Sequence, residues 1–238
     1  MTTPNENQSS ATTDTASRRL IVISAGTSEP SSTRMLAERI SRRTLEVLRE
    51  TGVDASAAVI EVAPLAVDIA GATVAGFPSE RLQAAIEQIA GADAIIAATP
   101  VYKAGISGLF KSFVDVLDDD LLIAKPVLLA ATAGSSRHAL VADEQMRPLF
   151  AYMRALTLPT SVFAGPEDLG VPELGDRIGR AATELAVLIT AQIERQITGR
   201  QWSGYQHRFA GNATHAERTT ADVDFDSPLM RLAAGGRT

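Results

Sequence analysis

The sequence feature that most constrains this chain is a short apolar run followed by a loop of small and hydroxyl residues. Residues 20–23 read Leu-Ile-Val-Ile, and the first loop, residues 24–34, reads Ser-Ala-Gly-Thr-Ser-Glu-Pro-Ser-Ser-Thr-Arg before a long helical pattern begins. A strand, a loop and a helix in this order present backbone N–H groups and a helix N-terminus to an anion. The first loop is therefore the leading candidate for a phosphate site.

Side chains of the first loop could also bind a phosphate. Its hydroxyls can each donate a hydrogen bond, and the guanidinium of Arg34 can contact two oxygens at once. The candidate hydroxyl donors are Ser24, Thr27, Ser31, Ser32 and Thr33. Ordinary helix capping explains part of the same composition, because Ser31 or Ser32 could serve only to begin the helix. The loop alone does not decide between these two interpretations.

Composition excludes several classes of function. The 238 residues suffice for one sizeable core. The net charge of −6 does not suit a nucleic-acid-binding protein, which is expected to have a basic surface. The chain has no cysteine, which excludes disulfides, thiolate catalysis and cysteine-bound metals. Its three histidines are not spaced as paired ligands, so we predict no metal site.

The two ends of the chain differ in composition from the middle. Residues 1–17 are polar and predict a disordered tail without the features of a signal peptide. No apolar run is long enough to cross a bilayer, so we expect a cytoplasmic protein. Residues 18–200 are expected to form one domain. Within the extension 201–238, Trp202, Tyr205 and Phe209 suggest packing on the body or on a neighbouring subunit, the alternative being a mobile tail.

Apolar runs alternate with helical patterns along the middle of the chain. Strands are predicted at residues 20–23, 57–62, 94–99, 126–131 and 160–163. Helices are predicted at residues 36–48, 79–90, 106–117 and 178–193, with a further helical stretch from residue 137 that Pro148 interrupts. Residues 65–77 lack a clean period and are expected to form an irregular connection. This alternation predicts an α/β fold with a doubly wound, five-stranded parallel sheet and helices on both faces.

Three loops of small residues follow the first, third and fourth predicted strands. In a doubly wound sheet they lie at the carboxyl edge, where ligands bind, so we expect them to form one site. The second loop is residues 99–108, which Pro100 should begin sharply and two glycines should keep open, and the third loop is residues 132–136. Dinucleotide, P-loop and nucleophile-elbow motifs are absent, which removes the most obvious kinase and hydrolase interpretations.

A phosphate loop beside two loops of small residues suits a ligand with one phosphate and a flat ring, such as FMN. Pro100, Val101 and Tyr102 could form a wall for the ring, and the small Ala133 and Gly134 would let backbone N–H groups approach its polar edge. Taken singly, Tyr102 could be an ordinary surface aromatic and Gly134 an ordinary turn residue. Their expected common location favours the functional interpretation.

Three segments also carry a resemblance to a known family. They are residues 25–34, residues 99–111, and residues 131–135 together with His138, Arg147 and Pro148. Over residues 19–165 the chain resembles the NAD(P)H-dependent FMN reductases of the flavodoxin-like superfamily. It is most similar to those that serve luciferase-like or alkanesulfonate-type two-component monooxygenases.

The resemblance implies a flavodoxin-like fold and a set of cofactor-binding residues. It implies that the FMN phosphate is held by Ser24, Thr27, Ser31, Ser32, Thr33 and Arg34. It implies that the ring lies against Pro100, Val101 and Tyr102, with its pyrimidine side at Thr132, Ala133, Gly134 and Ser135. Ala133 departs from the family, which has glycine there, and a left-handed backbone at that position would be strained.

The implied reaction is hydride transfer from NADPH or NADH to FMN, with reduced flavin passed to a monooxygenase. The cofactors carry this chemistry, so no catalytic side chain is expected. A homodimer or homotetramer is also implied, and the helix at 106–117 and the aromatic C-terminal segment are the candidates for the contact between subunits. Three alternatives remain open: a reductase that keeps its flavin and reduces quinones, azo compounds or metal ions, a flavodoxin-type electron carrier, and a regulatory module that binds a phosphorylated ligand.

Overall fold

A computed structural model describes residues 17–168 and 170–201, in which a parallel sheet runs through the centre of the fold. Its strands are β1 (Arg18–Ser24), β2 (Ala55–Glu61), β3 (Ala94–Tyr102), β4 (Gly105–Ile106), β5 (Pro126–Thr132), β6 (Leu156–Thr157) and β7 (Val162–Ala164). The order across the sheet is β2-β1-β3-β5, with β6 and β7 both pairing with β5 and only β4 antiparallel.

The two short strands β6 and β7 together fill the fifth position of the sheet. Pro159 lies between them and cannot donate a hydrogen bond to the ladder, which accounts for the interruption. Counted this way, the parallel strands follow the order 2-1-3-4-5, which is the flavodoxin-like arrangement. The predicted fold class is confirmed, and the additional strand β4 belongs to a hairpin at the end of β3.

Helices cover both faces of the sheet, as the uninterrupted apolar strands predict. They are α1 (Ser32–Glu50), α2 (Ala66–Ala75), α3 (Glu80–Ala90), α4 (Gly108–Asp115), α5 (Arg147–Tyr152), α6 (Pro172–Thr190) and α7 (Ile193–Gln201). Successive strand residues point to opposite faces. Leu20 and Val22 therefore pack in one core under α1 and α6, while Ile21 and Ile23 pack in the other under α2, α3, α4 and α5.

The expectation of an irregular connection at residues 65–77 is wrong, because most of this segment forms α2. Only Ile69 and Ala72 of this helix are buried, so the helical period is hard to detect in the sequence. The alanine-rich composition favours a helix despite the internal glycine. Gly76, with φ of 80°, ends the helix in the left-handed conformation that glycine adopts easily.

The C-terminal half differs from expectation in detail. The last predicted helix, at 178–193, corresponds to α6, which begins earlier, at Pro172, and an additional helix, α7, follows after Gln192, whose φ is 48°. Pro148 lies in the first turn of α5, as expected, and a π-helix at Ala142–Met146 comes directly before it. Within residues 17–168 and 170–201, no helix combines the length and apolar character needed to cross a bilayer. The predicted tail at 1–17, except Ser17, and nearly all of the predicted extension at 201–238 lie outside the described residues.

Candidate active site

The first loop turns tightly from the end of β1 into α1. A side chain at Gly26 would overlap the hydroxyl of Ser31, so the turn requires glycine. Ser31 caps α1, its Oγ accepting a hydrogen bond from the backbone N–H of Arg34 at 3.2 Å. The N–H groups of Ser32 and Thr33 lie in the first helical turn, where no acceptor exists within the helix. The capping interpretation of Ser31 is thus correct, and it leaves donors at the start of a 19-residue helix.

The hydroxyl groups of the first loop fall into two sets. Ser24 and Thr33 are buried, whereas Thr27 and Ser32 are exposed. The Oγ1 atoms of Thr33 and Thr132 share a buried hydrogen bond of 2.7 Å, which joins the first loop to the third. Ser24 and Thr33 therefore support the loop from inside, and the exposed hydroxyls remain accessible to a ligand.

The second loop is a tight hairpin, so the expectation of a loop opened by two glycines is wrong. Pro100 and Val101 continue β3, Pro100 lies opposite Thr132 of β5, and Tyr102 pairs with Gly105 of β4. The chain turns at Lys103 and Ala104, whose φ values of 50° and 64° are both left-handed. Pairing with β5 and β4 keeps β3 extended beyond the predicted strand end.

Tyr102 lies between the hairpin and the first loop. Its hydroxyl shares a hydrogen bond of 2.9 Å with Thr27 Oγ1, and 49% of the residue is exposed. Val101 is half-buried and packs against the core. The three loops predicted to meet at the carboxyl edge therefore do meet, through the Thr27–Tyr102 and Thr33–Thr132 contacts.

The guanidinium of Arg34 is paired with two carboxylates. Its Nε donates to Glu38 at 2.7 Å, and its Nη1 donates to Glu61 at the end of β2. The hydrogen bond that Arg34 donates to Glu38 and the negative charge of Glu61 raise the pKa of Arg34. Neither partner was predicted from the sequence. The spacing of four residues between Arg34 and Glu38 was an available signal, and Glu61 stood near the end of a predicted strand.

The third loop is fixed to the end of β7. The N–H of Ala133 donates to the carbonyl of Ala164 at 3.2 Å, and the N–H of Ser136 donates to Glu167 Oε1 at 2.9 Å. Hydrogen bonds from its own backbone and from Ser136 hold the pKa of Glu167 below its usual value. Ala133 does not have a left-handed φ, so alanine in place of the family's glycine carries no backbone strain.

A parallel sheet in this strand order, with three joined loops at its carboxyl edge, defines a flavodoxin-like nucleotide-binding protein. Residues 18–169 match the model of the NADPH-dependent FMN reductase family. The chain belongs to this family, which confirms the resemblance carried by its three segments.

Named relatives and solved structures agree with this assignment. An FMN reductase (NADPH) of Pseudomonas aeruginosa is 41% identical over 152 residues, covering 63% of this chain and 78% of the relative. The NADH-dependent FMN reductase SfnE of Pseudomonas putida is 36% identical over 174 residues, covering 73% of this chain and 88% of the relative. The X-ray structure of an oxidoreductase from Corynebacterium diphtheriae superposes with a TM-score of 0.72 at 45% sequence identity, covering 74% of this chain and 98% of that structure's chain. The chain is an NAD(P)H-dependent oxidoreductase that acts with FMN.

Proposed function

We propose that this enzyme binds FMN at the three joined loops, reduces it with NADPH or NADH, and releases it to a flavin-dependent monooxygenase. The observation that carries the proposal is the joining of all three loops at the carboxyl edge by the Thr27–Tyr102 and Thr33–Thr132 hydrogen bonds. The carboxyl edge of the sheet thereby offers hydrogen-bond donors for a phosphate. Beside these donors lie the aromatic side chain of Tyr102 and the small residues of the third loop.

The residues present fit a flavin mononucleotide. Thr27, Ser31, Ser32 and the free N–H groups at the start of α1 would hold the phosphate, as helix N-termini do for anions. Ser24 and Thr33 would support them from below, and Arg34 would contribute charge despite its two carboxylate partners.

The remaining predicted residues would hold the ring. Pro100, Val101 and Tyr102 would form one wall, while the backbone from Thr132 to Ser135 would face the pyrimidine side. When bound, FMN supplies the capacity to accept a hydride from a reduced nicotinamide. The protein's own task is to bind and orient the two nucleotides, and no side chain needs to act as a general acid or base.

A homo-oligomer is part of the proposal, and α2 is the helix best suited to the contact. Val67 and Val74 on α2 are 85% and 90% exposed, and Phe77 just beyond the helix is 69% exposed. The exposed side of α4, which the sequence favoured, carries Lys111 and Asp115 instead. Exposed apolar patches of this kind are typical of protein interfaces. The extension at 201–238 is proposed to pack on the body or on a neighbouring subunit.

Sedimentation of a substituted protein tests the proposed contact. Val74→Asp should lower the mass in solution, since a charge would be buried at the interface. The matched variant Val187→Asp, on the 61% exposed Val187 of α6, should leave the mass unchanged. Equal masses for both variants and the unaltered protein would remove α2 from the interface.

The reductase proposal is tested by following NADPH and NADH oxidation with a small amount of protein and increasing FMN. A rate that scales with free FMN supports reduction of FMN as a released substrate. Turnover only after a quinone is added would support a flavin-retaining reductase instead. A yellow protein without turnover would support an electron carrier.

A further inference from the structure

We propose that Gln145 is a positioning residue for the flavin ring, because its side chain holds the β3–β4 hairpin that carries Val101 and Tyr102. This inference rests on the proposed function, in which the hairpin forms one wall of the ring site. Gln145 belongs to none of the segments that carried the sequence-based prediction, and it reaches the site from the π-helix before α5.

The hairpin turn has an unfavourable sequence for its conformation. Lys103 and Ala104 are both left-handed, with φ values of 50° and 64°. A two-residue turn of this type normally carries Asn-Gly, because residues with a larger side chain are strained there. The turn therefore needs support from outside the hairpin to keep this geometry.

Gln145 supplies that support with both polar groups of its side chain. Its Oε1 accepts the backbone N–H of Ile106 at 3.1 Å, and its Nε2 donates to the carbonyl of Ala104 at 3.1 Å. The side chain also lies over Gly105, where a Cβ would come within 3.1 Å of Oε1. One residue thus contacts the turn and the returning strand together.

The segment that carries Gln145 is itself held in place. Met146 next to it is fully buried, and Arg147 donates to Asp143 at 2.6 Å and to the carbonyl of Leu158 at 2.7 Å. These contacts fix the π-helix to the chain between β6 and β7. Gln145 therefore links the hairpin turn to a segment that is itself held against the sheet.

The hairpin geometry determines where Tyr102 lies. Tyr102 pairs with Gly105 across the hairpin, and its hydroxyl reaches Thr27 of the first loop at 2.9 Å. If the turn relaxed, Tyr102 would lose its position relative to both the first loop and the proposed ring. Gln145 therefore acts on the flavin through the hairpin, without needing to touch it.

The test compares flavin binding by the full-length protein and by Gln145→Met, which keeps the side-chain length but removes both hydrogen bonds. We expect the dissociation constants of FMN and of riboflavin to rise by the same factor, about tenfold, since the ring contact is affected and the phosphate contact is not. Gln145→Glu keeps only the acceptor and should give a rise of about threefold. Gln83→Met, which removes only a contact with Glu87 on α3, is the matched control and should bind like the unaltered protein.

A second change separates positioning from general loss of structure. In the Gln145→Met background, replacing Lys103 and Ala104 with Asn and Gly provides the favoured turn sequence and should restore flavin binding to within about twofold. Amide exchange at Ile106 should accelerate in Gln145→Met at an unchanged melting temperature and stay fast in the rescued protein, because both lack the acceptor Oε1 of Gln145. Unchanged flavin binding in Gln145→Met, or failure of the Asn-Gly turn to restore it, would overturn the proposal.

These measurements also distinguish two failures. If the unaltered protein binds neither FMN nor riboflavin, the proposed flavin site fails whatever Gln145 does. If the unaltered protein binds both and Gln145→Met binds them equally well, only the role of Gln145 is rejected.

Discussion

The two edges of the sheet use charged residues in opposite ways. At the amino edge, Lys125 is 1% exposed and its Nζ donates to the carbonyl of Ala92 at 2.6 Å and to Glu194 at 2.9 Å. At the carboxyl edge, the side chain of Arg34 is 45% exposed, and its partners Glu38 and Glu61 are 39% and 43% exposed. The charge of Lys125 at the amino edge is therefore enclosed within the protein, whereas the charge of Arg34 at the carboxyl edge is accessible to a ligand.

Contacts around Lys125 indicate a structural role. They join the end of α3, the start of β5 and the start of α7, through Ala90, Ala92 and Glu194. Burial raises the pKa of Glu194, although the positive charge of Lys125 partly offsets this effect. Nearby, Arg19 donates to the carbonyl of Gly91 at 2.9 Å. The contacts of Lys125 at the amino edge thus stabilise the fold, while the carboxyl edge is available for the proposed flavin site.

The largest effect is expected at the amino edge. Lys125→Met should lower the free energy of unfolding by about 3 kcal/mol, because it leaves Glu194 and two carbonyl groups without their partner. The melting temperature should fall by roughly 6–12 °C, with FMN affinity at lower temperature unchanged.

Lys111→Met is the matched control for this change. Lys111 is 47% exposed and pairs with the 48% exposed Asp115, so its loss should leave the melting temperature nearly unchanged. If Lys125→Met were as stable as Lys111→Met, the structural role of Lys125 at the amino edge would be rejected.

A smaller effect, on binding, is expected at the carboxyl edge. Arg34→Ala should weaken FMN binding about tenfold, because it removes a charge close to the proposed phosphate position. Riboflavin, which lacks the phosphate, should bind with unchanged affinity. Arg43→Ala serves as the control, since Arg43 pairs with Glu46 and Glu50 farther along the same helix. Unchanged FMN affinity in Arg34→Ala, measured by fluorescence quenching, would remove Arg34 from the site.

The smallest effect is expected from Glu61, the partner of Arg34 at the end of β2. Glu61→Gln should tighten FMN binding about threefold, because it removes a negative charge near the dianion and frees Arg34. The gain should shrink as salt concentration rises and should be absent with riboflavin. Weaker FMN binding in this variant would mean that Glu61 orients Arg34 instead of competing for it.

Features encoded in continuous stretches of sequence were predictable. The apolar runs identified the main strands because residues 20–23 and 126–131 are buried on both faces of the sheet. The position of the loops followed from the alternation of strands and helices, and Ser31 was recognised as a possible cap from its place before the helix. These features depend on neighbours in the chain and on general rules of parallel sheets.

Features that depend on contacts between distant residues were not predictable. The hairpin at Lys103 and Ala104 has no glycine in its turn, and its support comes from Gln145, about forty residues later. The pairing of Arg34 with Glu61 likewise joins α1 to the end of β2. Local sequence places Glu61 near a strand end but does not pair it with Arg34, and it does not pair Gln145 with the hairpin, because each contact arises only when the sheet brings the elements together.

Calorimetric titration of FMN and of riboflavin into the full-length protein and into Tyr102→Ala tests the central claim most directly. With phosphate and ring bound at separate loops, the unaltered protein should bind FMN at least about tenfold more tightly than riboflavin. Tyr102→Ala should weaken both ligands by a similar factor. Equal affinity for FMN and riboflavin in the unaltered protein, or no heat with FMN, would contradict the proposed site.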